Sequence, residues 1–219
     1  MSWIKDRALT LVLMTMFVIF LAGQFVTGFH EYNDVQIEHH RSRVTMSAYA
    51  LTGHWWESVF ENWESEFLQM AVFVLATTCL VQKGSPESRR PAVIEPVDAD
   101  PREFVNEPGV PWPVKRGGWI LKVYENSLPI ALFVIFFLAF VLHAWGGAKV
   151  YSEEQLAAGG HDYSTWGYLH TAQFWFESFQ NWQSEFLAVA SLVVLSIFLR
   201  QRGSPESKPM AAPHSSTGA

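Results

Sequence analysis

Asn62-Trp63-Glu64-Ser65-Glu66-Phe67-Leu68 returns 119 residues later as Asn181-Trp182-Gln183-Ser184-Glu185-Phe186-Leu187. At the same offset Gly84-Ser85-Pro86-Glu87-Ser88 returns letter for letter as Gly203-Ser204-Pro205-Glu206-Ser207. Tyr32/Tyr151, Gln36/Gln155, Tyr49/Tyr168, Trp56/Trp175 and Phe60/Phe179 also match without a gap, which marks an internal repeat. The residues read as a tandem duplication. Each copy carries two long apolar runs, so the repeat predicts topology and pairs the polar residues of one copy with those of the other.

The chain has 219 residues, of which 49% are hydrophobic and only 16% charged, with 10 Trp and 17 Phe, a composition that points to a membrane. The apolar residues are bunched into Leu9–Phe29, Trp63–Val81, Ser127–Trp145 and Trp182–Leu199. Each run has the roughly 17 to 25 residues that cross about 30 Å of hydrocarbon as a helix, the form in which backbone polar groups satisfy one another. The expected fold is an all-α membrane protein with four transmembrane helices, from a parallel tandem duplication of a two-helix unit. Two spans per unit keep both copies in one orientation, related by a pseudo-twofold axis along the membrane normal.

Lys5, Arg7, Lys83, Arg89, Arg90, Arg102, Lys115, Arg116, Lys122, Arg200, Arg202 and Lys208 put 12 of the 15 basic residues on one side of these spans. The positive-inside rule then expects both termini of a multi-pass protein in the cytoplasm. A net charge of -6 with no clustered basic face argues against nucleic-acid binding. The first span is the counterpart of the internal third span and no small-residue cleavage site follows it near Ala22, so it is expected to be retained rather than removed as a signal peptide. Cys79 is the one cysteine, which excludes an intramolecular disulfide.

The organisation expected along the chain is a first two-span repeat at 1–90, a Pro-rich cytoplasmic linker at 91–118, a second repeat at 119–209 and a disordered tail at 210–219. Seven prolines between Gly84 and Gly118, Pro91 among them, predict an irregular linker. The tail is small and polar. The outer segments, His30–His54 and Lys149–Gln173, lack strand alternation and are expected to be partly helical.

On the second long helix Trp56, Phe60, Trp63 and Phe67 share one face at i, i+4, i+7, i+11, echoed by Trp175, Phe179, Trp182 and Phe186. Such a stripe suits an aromatic belt at the headgroups or packing between helices. Asn62, Ser65, Glu66 and Gln69 form a polar stripe, echoed by Asn181, Ser184 and Glu185, which is expected to point into the bundle and not at lipid. Gln24, Glu66, His143 and Glu185 each lie 15 residues from the cytoplasmic end of their own helix, about 22 Å of rise. Gln24 and His143 are themselves a repeat pair. The four form a candidate polar layer in which two carboxylates and an imidazole suit proton or small-cation binding. The alternative is that Glu66 and Glu185 reach the interface and merely cap the bundle.

Other chemistries fit less well. His30, His39 and His40 with Glu31, Asp34 and Glu38 have irregular spacing, and the second copy has Lys149 and Gly159 where two of the histidines stand, so no metal site is assigned. A haem between spans needs histidines at matching depth, and only His143 lies in an apolar run, so no cofactor is expected. Ser65 and Glu66 point about 100 degrees apart, unlike a nucleophile and its base. No phosphate loop is present. Gly84-Ser85-Pro86-Glu87-Ser88 and its copy read as helix stops, with Ser-Pro phosphorylation as the weaker alternative.

The paired words quoted above, with Trp56/Trp175, resemble a bacterial membrane-protein family catalogued only as a domain of unknown function. The resemblance covers nearly the whole chain apart from linker and tail. It implies a small duplicated four-span, multi-pass protein of the bacterial inner membrane and carries no activity, substrate or site residue. Three function classes stay open. The chain is a structural or regulatory membrane component, with the lipid bilayer and a homo-oligomer or membrane-complex subunit as partners; or a conductor of protons or small cations through the polar layer; or an enzyme, which the lack of any complete catalytic set disfavours.

Overall fold

The computed structural model describes residues 2–90, 93 and 95–218; Pro91 of the linker and the terminal residues Met1 and Ala219 of the expected boundaries lie outside them. Helix makes up 69% of the chain, and no strand occurs among the described residues. In order the helices are α1 (Ser2–Lys5), α2 (Ala8–Glu38), α3 (Met46–Tyr49), α4 (Gly53–Cys79), α5 (Trp112–Arg116), α6 (Gly118–Glu125), α7 (Ser127–Ala157), α8 (Thr165–Tyr168) and α9 (Ala172–Phe198).

Three of them, α2, α7 and α9, are long and apolar enough to cross a membrane. α4 is as long as α9, at 27 residues each. It is less apolar because Glu57, Glu61, Glu64 and Glu66 all fall in its first half. α2 and α7, at 31 residues each, rise about 46 Å and so outrun a hydrocarbon layer of about 30 Å. The segments 30–54 and 149–173 therefore start as continuations of these helices and add α3 and α8.

The chain divides into two compact units, one formed by the chain up to Phe60 with Leu142–Phe174, the other by Glu61–Val141 with the chain from Trp175 onward. In the first unit, short helix and long helix are joined by the same bonds twice. Thr45 caps α3 by accepting from the Ala48 N–H, and Ser164 caps α8 by accepting from the Gly167 N–H. Thr52 and Thr171 donate to the carbonyls of Tyr49 and Tyr168 at 2.7 Å and accept the amides of Trp55 and Phe174 at 3.3 Å, which launches α4 and α9. Tyr49 and Tyr168 are fully buried. Each phenol rests on a glycine, Gly28 of α2 and Gly147 of α7, where any side chain would strike the ring or its hydroxyl.

In the same unit α4 and α7 meet backbone to backbone. A Cβ on Gly146 would lie 2.6 Å from the Glu57 amide nitrogen, and one on Gly53 would lie 2.6 Å from the Gly146 carbonyl. Small residues permit this approach, as in membrane helix pairs generally. Trp56 packs edge-on to Trp145, centroids 6.5 Å apart.

In the second unit the core is Ala71, Leu121, Leu132, Phe136 and Ala139, with Trp182 edge-on to Phe136 at 6.4 Å. The repeated Gly-Ser-Pro-Glu-Ser words form matching turns after α4 and α9. Gly84 and Gly203 have φ of +89° and +85°, values that favour glycine. Ser88 and Ser207 accept the amides of Gln82 and Gln201; Ser85 and Ser204 accept those of Glu87 and Glu206. Ser88 is buried and Ser207 is not. Ser88→Ala is therefore expected to cost about 1 kcal/mol and Ser207→Ala less, since water replaces an exposed acceptor more readily; chemical unfolding in detergent measures the difference.

The two turns meet through Glu87 and Glu206. Burial, together with the charge and hydrogen bond of Glu206, holds the Glu87 carboxyl above the usual carboxylate range. A proton bound more tightly in the closed turn than in an opened one stabilises the closed form at acid pH, and that contribution is lost as pH rises through the raised value. Amide protection of residues 82–88, corrected for the intrinsic exchange rate, is expected to fall over that interval, with Glu206→Gln flattening the profile. A flat wild-type profile contradicts the pairing.

Between the repeats, 3₁₀ turns at Pro96–Asp98 and Pro101–Phe104 precede α5 and α6, with Arg90 bonded to Glu95 at 2.9 Å and Arg89 to Asp98 at 3.3 Å. After α9, Lys208 is buried, and Lys208 and Thr217 are hydrogen-bonded to the Gly84 turn, 124 and 133 positions away in sequence.

Candidate functional site

Glu57, Glu61 and Glu64 fall at i, i+4, i+7 on α4 and therefore share one face. Glu64 is 0% exposed and accepts the Trp182 indole N–H at 2.9 Å. Glu61 accepts from the Asn181 side-chain amide at 2.5 Å. Both pairs lie in the second unit. In the first unit, the Glu57 carboxylate packs over Gly147 and comes within 4.8 Å of a ring nitrogen of His143. His143 is 0% exposed, with the Phe174 ring 5.0 Å from its own. Acids and a histidine thus lie inside helices of membrane-crossing length and meet protein groups.

The candidate layer falls in two parts. Gln24 and His143 belong to the first unit, where Gln24 donates to the Ser58 carbonyl at 3.0 Å. Glu66 and Glu185 belong to the second, close enough for the Glu185 charge to act on Glu66. Glu66 is exposed and Glu185 half-buried. The polar stripe is split likewise, with Ser65 and Gln69 buried, Asn181 half-buried, and Asn62 and Ser184 exposed. Ser65 and Ser184 return their hydroxyls to the carbonyls of Asn62 and Asn181, both at 2.8 Å.

The aromatic stripe differs between copies. Trp56, Phe60, Trp63 and Phe67 are half-buried, whereas Trp175, Phe179 and Phe186 are 39%, 56% and 39% exposed. Trp182 stands apart because its indole serves Glu64. The carboxylates of Glu57, Glu61 and Glu64 were not singled out from the sequence, although their helical spacing was there to find.

A second polar group sits at the ends of α2 and α7 in the first unit. Glu31 bonds to His54 at 3.1 Å, and the other ring nitrogen of His54 meets the Tyr49 hydroxyl at 3.1 Å. Burial, with the nearby Glu31 charge, pushes the Tyr49 phenol up to about 12. Beside this chain lies a cavity of about 550 Å³ lined by Glu31, Tyr32, Gln36, His39, Arg41 and Glu153 among others. Arg41 faces Glu153 across 4.0 Å.

All-helical architecture and, among the described residues, three helices long and apolar enough to cross a membrane define the class: a helical protein with helices able to span a bilayer. Within that class the chain belongs to the family described as "Domain of unknown function (DUF6766)", which it matches over residues 1–219. No curated protein and no solved structure matches it.

Proposed function

We propose that the chain is a four-span protein of the bacterial inner membrane, made of two parallel copies of a two-span unit with both termini cytoplasmic, and that its interior acids handle protons or small cations. The observation that carries this reading is the Glu57, Glu61, Glu64 face of α4, with Glu64 fully buried. A carboxylate within a membrane helix is costly to retain and marks proton and ion pathways more often than it serves packing. For α4 as a fourth span, the support is that its acids meet Asn181, Trp182 and Gly147. A helix whose acids are so engaged needs less overall apolarity to lie in lipid. The duplication reading draws on the cap, threonine and serine bonds that recur 119 residues apart.

Reconstituted in liposomes with a pH-sensitive dye, the protein is expected to dissipate a proton or alkali-cation gradient, and Glu61→Gln to slow it. A wild-type protein that leaves every gradient intact sinks this reading. The other reading, a structural or regulatory component or complex subunit, is favoured by the exposed Trp175, Phe176 and Phe179 on α9. It predicts a stoichiometric partner or homo-oligomer after mild extraction, and a lone monomer counts against it.

A further inference from the structure

Lys208 is 2% exposed, and its ammonium is surrounded by four backbone carbonyls: Gly84 at 2.5 Å, His214 at 3.0 Å, Ser216 at 3.1 Å and Pro213 at 3.3 Å. Three N–H donors shared among four acceptors leave the cation well solvated by protein dipoles, which is what a buried charge requires. Burial and the neighbouring Arg200 pull the Lys208 pKa below its usual value.

Three of the four carbonyls belong to the C-terminal segment and the fourth to the turn after α4. Two amide bonds reinforce the same join: Gly84 N–H donates to the Thr217 hydroxyl at 2.9 Å, and Gly218 N–H to the Ser85 carbonyl at 3.0 Å. On the other side Arg200, just beyond α9, donates to the Ala212 carbonyl at 3.3 Å, and His214 Nδ1 lies 3.0 Å from the Ile197 carbonyl of α9. The segment therefore touches the end of α4 and the end of α9.

The twin turns make the asymmetry plain. At Gly203 a Cβ would meet nothing within 4 Å; at Gly84 it would lie 2.6 Å from the His214 carbonyl oxygen. The two words are identical in sequence and nearly so in φ, yet only Gly84 is overlain by the tail.

We propose that residues 204–218 are a strap which, keyed by the Lys208 ammonium in its four-carbonyl cage, ties the end of α4 to the end of α9. The strap is a device for holding those two helix ends together. It does not depend on the proton or cation reading, because the bonds that form it lie outside the acid-bearing face of α4.

Hydrogen exchange on the full-length protein in nanodiscs tests it. Lys208→Met, which keeps the stem and removes the charge, is expected to speed exchange in both 82–88 and 209–218 by about tenfold or more, while the long helices keep their protection. In Lys208→Gly, n-butylammonium in the buffer is expected to restore part of the protection. Should the lysine variants fail to fold, the glycines decide. Gly84→Ala and Gly203→Ala carry the same backbone strain, but only Gly84→Ala is expected to release 209–218. Unchanged exchange in Lys208→Met, or equal release by the two alanine variants, overturns the strap.

Discussion

Gly146→Val is expected to break the crossing of α4 on α7 and lower stability by about 3 kcal/mol or more, beyond the usual 1–3 kcal/mol for an overpacked methylene. Even an alanine there would place its Cβ 2.6 Å from the Glu57 nitrogen, 2.9 Å from the Gly53 oxygen and 3.1 Å from the Glu57 Cα. All three are backbone atoms, so no rotamer change can relieve the clash. The helices have to separate, and with them go the Trp56–Trp145 contact and the approach of Glu57 to His143. Gly23→Ala supplies the contrast. It lies on α2 with nothing within 4 Å of its would-be Cβ, so the better helix former is expected to leave stability equal or raise it by about 0.5–1 kcal/mol. Thermal unfolding in detergent, followed by tryptophan fluorescence, reads both. A Gly146→Val protein that melts with the wild type means that the two backbones are not in contact.

Helicity and the approximate extent of the apolar segments were legible because they depend on residue type and local period. Leu9–Phe29 and Ser127–Trp145 fall inside α2 and α7, and the structure adds only that each helix continues into the polar residues that follow. Tyr49 and Tyr168 were legible as a pair, but their role was not, since it needs glycines on another helix to receive the rings. The faces of α4 were harder. It carries two polar stripes, Asn62/Ser65/Glu66/Gln69 and Glu57/Glu61/Glu64, and periodicity alone gives no means of choosing between them. What lies opposite sorts them residue by residue: Trp182 and Asn181 take up Glu64 and Glu61, while of the other stripe Ser65 and Gln69 are buried and Glu66 is exposed. The contacts of the C-terminal segment are illegible in sequence for a similar reason: its residues are small and polar, and the Lys208 ammonium reaches the carbonyl of a glycine 124 residues away.

Glu64→Ala is expected to cost about 3 kcal/mol, because it leaves the Trp182 indole N–H without its carboxylate, worth about 1–3 kcal/mol, and opens a cavity besides. Glu64→Gln keeps an acceptor oxygen and nearly the same volume, so its cost is expected to stay near 1 kcal/mol. A double-mutant cycle with Trp182→Phe is expected to show a coupling of about 0.5–3 kcal/mol, as for residues that share a buried hydrogen bond. These two variants separate the structural role of the side chain from the proposed chemical one. Glutamine holds the fold but has no titratable proton and carries no charge, so on the proposed function Glu64→Gln gives a well-folded protein with gradient dissipation reduced about tenfold or more in liposomes. If flux survives in Glu64→Gln while Glu64→Ala unfolds, the buried carboxylate serves the packing of α4 against Trp182, and proton or cation handling by this face of the helix is excluded.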